Sequence, residues 1–103
     1  MLHDLLKKRY HTRKQFYDNY SNKVFDLCLL DAKVMVDFDK RIKSITKDIM
    51  DEYEHAGSVC LLCRAYYLVK DKNQARIIMQ DYLAESQEFL SDFSTSDYRK
   101  SAD

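Results

Sequence analysis

The chain of 103 residues has no proline, no tryptophan and a single glycine, Gly57. Tight β-turns, hairpins and β-bulges draw on proline and glycine, which supply about 5% and 7% of an average chain. Their scarcity therefore predicts an all-α protein whose helices are joined by short polar turns. With 46% apolar residues, a chain of this length can bury a core as one domain.

Long apolar runs are missing as well. No stretch approaches the roughly 20 apolar residues of a membrane-spanning helix, and the first residues, MLHDLLKKRY, lack the order of a secretory signal. We therefore expect a cytoplasmic protein with no membrane partner. Three cysteines without a regular framework are typical of reduced thiols, and a net charge of zero removes the simplest argument for a nucleic-acid partner.

Hydrophobic periodicity predicts a small bundle or repeat-like stack of about four helices. We expect residues 1–93 to form a single helical domain and residues 94–103, which have no periodic pattern, to form a flexible C-terminal tail. The predicted helices cover approximately residues 2–20, 23–54, 59–70 and 74–93.

Polar segments mark the expected breaks between these helices. The segments NYSN at 19–22 and KDKN at 70–73 are rich in residues that prefer caps and turns. The segment HAGS at 55–58 predicts the remaining break, because Gly57 can adopt the left-handed conformation that closes a helix and Ser58 can cap the next one.

A heptad pattern runs from Val24 to Ile49, where apolar residues alternate steps of four and three with one polar member, Asp31. Such a pattern favours either packing within one chain or a homo-oligomer formed through Val24–Ile49. The segment VDFDK at 36–40 leaves open whether this region is one long helix or a hairpin, since its aspartates can cap a new helix.

Residues 58–86, SVCLLCRAYYLVKDKNQARIIMQDYLAES, carry large and small residues at the spacings of two packed helices. These residues are Val59, Leu62, Cys63, Tyr66, Ala75, Met79 and Tyr82. The pattern resembles a tetratricopeptide repeat, a helical hairpin of about 34 residues. It departs from that family at Cys63 and Tyr82, where small residues are usual, and the preceding Asn22–His55 matches weakly. The resemblance implies a scaffold that binds a peptide or a protein, and not a catalyst.

Sites for metal or redox chemistry are incomplete in this sequence. Cys60 and Cys63 have the spacing of a zinc-binding pair, with His55 and Cys28 as further ligands, but no second pair follows. Glu52 and His55 form a single Glu-x-x-His, whereas a di-iron bundle needs two copies. We predict no catalytic, cofactor-binding or metal-binding residue, and hence no enzyme.

Two features indicate a partner. The segment KKRYHTRK at 7–14 is basic, and thirteen tyrosines and phenylalanines, eight and five respectively, exceed what a small helical core needs. The basic segment could also pair with the acidic fourth helix of the same chain, which contains Asp81 and Glu85. Phe16 and Tyr98 are aromatic residues that we expect to be partly exposed. The predicted partner-binding residues are Lys7, Lys8, Arg9, Arg13, Lys14, Tyr17, Tyr20, Tyr53 and Tyr67.

The function expected from these features is that of a small protein-interaction module, an adaptor, chaperone-like subunit or inhibitor that docks on another protein. The alternative is a nucleic-acid-binding or regulatory helical protein that uses residues 7–14.

Substitution of Cys63 tests whether this residue packs between two helices or belongs to a metal or redox site. A small residue at a close helix contact tolerates the removal of side-chain volume better than its addition. We expect Cys63→Ala to change the free energy of unfolding little, and Cys63→Leu to lower it by about 1 to 3 kcal/mol through overpacking. Chemical denaturation of both variants measures the difference. The opposite order, with alanine the more damaging change, would indicate a metal or redox site.

Overall fold

A computed structural model describes the backbone of residues 1–46 and 48–94 and the side chains of residues 1–46 and 48–87. The all-α prediction is confirmed, and the fold is a small bundle in which consecutive helices pack together. The expected tail and Tyr98 lie outside the described residues, apart from Ser94, which ends the last helix. The helices are α1 at Leu2–Ser21, α2 at Phe25–Ile45, α3 at Ile49–Leu68 and α4 at Lys72–Ser94.

Lysine takes the place of glycine where helices α1 and α3 end. Lys23 and Lys70 have φ values of 60° and 67°, in the left-handed region that glycine normally occupies. After α3, the N–H of Lys70 donates to the carbonyl of Tyr67 at 3.0 Å and that of Asp71 to the carbonyl of Tyr66 at 2.9 Å. This pair of bonds satisfies carbonyls at the helix end, and Lys23 begins an equivalent pair after α1. The chain thus turns sharply without glycine or proline.

The break predicted at HAGS is wrong. Helix α3 is continuous through Gly57 and Ser58, and the Ser58 hydroxyl donates to the carbonyl of Glu54 one turn earlier, at 3.2 Å. The chain turns instead around Thr46 and Asp48. The predicted second helix, 23–54, therefore divides into α2 and the first part of α3.

Asp48 begins helix α3 as its N-cap. The Asp48 carboxylate accepts a hydrogen bond from the N–H of Met50 at 2.9 Å, which satisfies one of the unpaired donors of the first turn. Asp51 and Glu52 follow in that turn, where negative charge interacts favourably with the helix dipole. These acidic residues after Thr46 are the sequence signal for the start of α3, which the predicted break at Gly57 overlooked.

Helix α2 is unbroken, so the alternative break at 36–40 is wrong as well. A repeat of 34 residues would place a turn at 36–39, as the counterpart of the turn at 70–73. Because these residues are helical, Asn22–His55 does not repeat the hairpin geometry. The seam residues Cys28, Met35 and Ile42 are fully buried within the chain. Oligomerisation through Val24–Ile49 would therefore lack these central contacts.

The core forms where α2 meets its two neighbours, and small residues let the helices approach closely. Ala32 and Ala65 are fully buried. Asp31, the polar member of the seam, accepts a hydrogen bond from the side-chain amide of Asn19 on α1 at 2.8 Å. The buried residues of the core are Phe16, Cys28, Ala32, Met35, Leu62 and Ala65.

A charged cluster lies in the interior beside this core. The Asp39 carboxylate on α2 is fully buried; its Oδ1 accepts from Arg9 Nη1 at 3.2 Å and its Oδ2 lies 3.4 Å from His55 Nδ1. Arg9 belongs to α1, and its side chain is only 11% exposed. His55 belongs to α3, and its ring packs edge-on against Tyr82 of α4. One buried carboxylate therefore connects side chains from three helices.

Removal of Asp39 should destabilise the fold strongly, because it would leave the Arg9 guanidinium in the interior without its main counter-charge. We expect Asp39→Ala to lower the free energy of unfolding by about 3 to 5 kcal/mol. Asp37→Ala is the matched control, since Asp37 forms an exposed ion pair with Arg41 on the same helix and should change stability by about 0.5 kcal/mol or less. Equal losses in urea denaturation would contradict this account of Asp39.

Candidate functional site

A groove lies between α1 and α3, which both pack against α2. Arg13, Tyr17 and Tyr20 share one face of α1, at steps of four and three. Tyr53, Gly57, Leu61, Arg64 and Leu68 share one face of α3, at steps of four, four, three and four. These faces border two shallow, open concavities of about 270 and 380 Å³, one after the other along α3. We call them together the tyrosine groove. Its lining residues are Arg13, Tyr17, Tyr20, Tyr53, Glu54, Gly57, Leu61, Cys63, Arg64, Tyr67 and Leu68.

Four of the predicted partner-binding residues, all tyrosines, lie along this groove. Tyr17, Tyr20, Tyr53 and Tyr67 are 51%, 37%, 66% and 58% exposed. The Tyr20 ring is held between Phe16 and Phe25, with centroids 6.3 and 6.2 Å away. No hydroxyl of the four tyrosines forms a hydrogen bond with another residue in the described part of the chain. The groove therefore presents aromatic area with unused polar tips.

Charge in the groove is positive. Arg13 Nη2 lies 2.6 Å from Glu54 Oε2, so one ion pair joins its two walls. Arg64 is exposed and makes no ion pair within residues 1–46 and 48–87. Two cations and one carboxylate leave one net positive charge, carried by the unpaired guanidinium in the second concavity.

Gly57 opens the first concavity. It is exposed in the middle of α3, and a Cβ added there would meet no heavy atom within 4 Å. Its conformation is ordinary helix, so no left-handed angle requires glycine. The missing side chain leaves room between Tyr17 and Tyr53, on opposite walls.

The basic segment 7–14 is only partly available to a partner. Arg9 points into the interior, which corrects the expectation that it contacts a partner, because its guanidinium is held by Asp39 and lies 3.9 Å from Asp51. Arg13 is paired across the groove with Glu54.

The lysines of this segment have a different environment. Lys7 and Lys8 are exposed, and Lys14 is also exposed, with its ammonium 5.1 Å from the centre of the Tyr10 ring. The arginines of α1 pair with α2 and α3 and not with the acidic fourth helix, because α1 and α4 are not packed together in the described residues.

The cysteines point to separate places. Cys28 Sγ donates to the carbonyl of Phe16 at 3.7 Å, and Cys63 Sγ donates to the carbonyl of Ala75 at 3.5 Å. Burial raises the pKa of both thiols; nearby Asp31 contributes at Cys28 and Cys60 contributes at Cys63. A raised pKa disfavours the thiolate that zinc binding and disulfide exchange require. Cys60 is exposed on α3.

The Glu52 and His55 pair is also divided between different partners. Lys43 Nζ lies 2.7 Å from Glu52 Oε2, whereas His55 faces Asp39. Each side chain therefore has a structural contact of its own within the bundle.

Sequence reasoning missed part of the groove and misplaced one aromatic residue. Phe16 is 1% exposed and belongs to the core, so its expected exposure is wrong. Leu61 and Arg64 line the groove, and the signal for them was their spacing of eight and eleven residues from Tyr53.

Comparison with known proteins leaves the site to be interpreted from its own geometry. No protein-family model, no curated protein sequence and no solved structure matches this chain. None of the helices in the described residues is long and apolar enough to cross a membrane.

Gly57→Ala should stabilise the protein, because alanine has the higher helix propensity and the added methyl group meets open space. We expect the free energy of unfolding to rise by about 0.5 to 1 kcal/mol. Ala84→Gly, at an exposed position of α4, is the reverse control and should lower it by a similar amount. A loss of stability in Gly57→Ala during thermal unfolding would show that the groove is tighter than described.

Proposed function

We propose that this protein is a small protein-interaction module, an adaptor, chaperone-like subunit or inhibitor, that docks on another protein through the tyrosine groove. The observation that carries the proposal is that Tyr17, Tyr20, Tyr53 and Tyr67 are exposed along the two walls of one groove. Its action would be steric, so it needs no catalytic residue. Cytoplasmic location and the absence of catalysis remain predictions.

The energetics of tyrosine support this choice of surface. Each tyrosine buries a large area with only two side-chain torsions to fix, and tyrosine and arginine are enriched among residues that dominate binding energy. Arg64 adds such a residue beside Tyr67. Once a partner is bound, contacts at the centre of the interface are shielded from water, which strengthens them.

The hairpin formed by the second half of α3 and by α4 agrees with a scaffold role. Cys63 approaches the backbone of Ala75 at the position where a tetratricopeptide-like hairpin would carry a small residue. The resemblance over 58–86 remains a proposal, and it leads to the same class of function, the binding of a peptide or protein.

Nucleic-acid binding through residues 7–14 remains the alternative, with a reduced set of cations. Arg9 and Arg13 are engaged in ion pairs inside the protein, which leaves Lys7, Lys8 and Lys14. Three exposed lysines on one helix supply a weaker phosphate-binding surface than the five cations in the sequence suggested.

Comparative capture from the native host tests the proposal. The tagged full chain, the double variant Tyr17→Ala with Tyr53→Ala, and the control Tyr10→Ala are purified in parallel and their bound proteins quantified by mass spectrometry. Tyr10 is a suitable control because it is exposed on α1 but lines neither concavity. We expect at least one protein to be retained by the parent and by Tyr10→Ala and to fall at least about tenfold with the double variant, which corresponds to about 1.4 kcal/mol.

Two further measurements make the result decisive. Circular dichroism of the double variant should match the parent, since both tyrosines are more than half exposed. Retention of every partner by the double variant would contradict docking in the groove. Salt-sensitive oligonucleotide binding that disappears when Lys7, Lys8 and Lys14 are reversed would favour the alternative, and Arg9 stays unchanged in that variant because of its buried ion pair.

A further inference from the structure

We infer that the tyrosine groove takes a proline-rich, extended segment of its partner that carries one acidic residue. This inference rests on the proposed function and specifies the ligand chemistry of the same groove. It follows from the kinds of hydrogen-bonding group that the groove offers, from its length and from its charge.

The groove offers a partner's backbone unused hydrogen-bond donors, and its excess of donors over acceptors comes from Arg64. The hydroxyls of Tyr17, Tyr53 and Tyr67 have no partner among described residues, and each can donate one hydrogen bond as well as accept. The Arg64 guanidinium adds N–H donors and no acceptor. The carboxylate of the groove, Glu54, is already paired with Arg13.

A polyproline II segment is the complement of such a surface. Its carbonyl groups make no internal hydrogen bonds, and each proline lacks an N–H group that would need an acceptor. Proline rings also pack well on aromatic side chains, which is how aromatic-lined grooves bind proline-rich peptides in general. An α-helix is the poorer match, because its backbone carbonyls are already bonded within the helix.

The length of the groove fits a short segment of this kind. Tyr53 and Leu68, at its two ends on α3, are fifteen residues apart, which is about 22 Å along a helix. A polyproline II helix rises about 3.1 Å per residue, so about seven residues span the groove. Because this conformation is populated before binding, little conformational entropy is lost on docking.

The charge of the groove selects an acidic residue in the segment. Arg64 lies exposed in the second concavity, beside Tyr67 and without an ion pair in the described residues. A guanidinium binds a carboxylate through two parallel N–H groups, which fixes both position and direction. A carboxylate at one end of the proline-rich segment would therefore set its register relative to the tyrosines.

A titration of the isotopically labelled full chain tests this inference by NMR. The probes are an acetylated and amidated peptide of seven prolines followed by glutamate, the same peptide with glutamine, and a capped alanine-rich peptide of about fifteen residues with one glutamate, which is long enough to form a helix and spans the same distance. The proline–glutamate peptide should shift the amide signals of Gly57, Leu61 and Arg64 saturably. The glutamine peptide should bind more weakly, and the helical peptide should leave these signals unchanged.

Matched variants assign the contacts. Tyr53→Phe, which keeps the ring and removes the hydroxyl, should weaken binding about two- to tenfold. Tyr53→Ala should abolish saturable binding, and Tyr10→Phe and Tyr10→Ala should leave it unchanged. Arg64→Gln should remove the preference for glutamate over glutamine while leaving the weaker binding of the glutamine peptide intact.

The outcomes separate this inference from the proposed function. Absence of groove shifts with the proline–glutamate peptide, while the double variant still loses a protein in the capture experiment, would overturn the inference and leave docking in the groove supported. Stronger binding of the helical peptide would overturn it as well. Shifts that persist in Tyr53→Ala would place the peptide elsewhere and contradict the assignment to the groove.

Discussion

The arrangement of the first three helices depends on one buried carboxylate. Asp39 has no access to water, and a charge in the interior is tolerated only where opposite charge and hydrogen bonds compensate it. Arg9 supplies that charge from α1, and His55 closes the other side from α3. The carboxylate therefore links both neighbours of α2 at one point beside the apolar core.

The tyrosine groove begins one helical turn from that carboxylate. Arg9 pairs with Asp39 in the interior and also lies 3.9 Å from Asp51, where it draws α1 and α3 together. One turn further along, Arg13 and Glu54 join the same two helices at the surface. The interior ion cluster and the tyrosine groove are therefore continuous along the same two helices, and pairs of opposite charge draw together the walls that carry Tyr17 and Tyr53.

The fold class followed from the sequence, because the absence of proline and the periodicity of apolar residues depend only on local geometry. The helix boundaries did so only in part, since the chain uses Lys23 and Lys70 at left-handed positions and places its one glycine inside a helix. The exposed tyrosines could be chosen from composition. Their assembly into one groove could not, because it depends on how distant segments of the chain pack, as the pairing of Arg9 with Asp39, 30 residues away, illustrates.

Consecutive packing of the helices also has a consequence for cooperativity. Among the described residues, the backbone of α4 lies against α3 alone, whereas its side chains also line a small cavity with Val36 and Lys40 of α2. We therefore expect α1, α2 and α3 to form one cooperative unit and α4 to open locally at a smaller free energy, which would uncover His55 where Tyr82 now covers it. Binding in the groove would stabilise the first unit directly and would reach α4 mainly through α3.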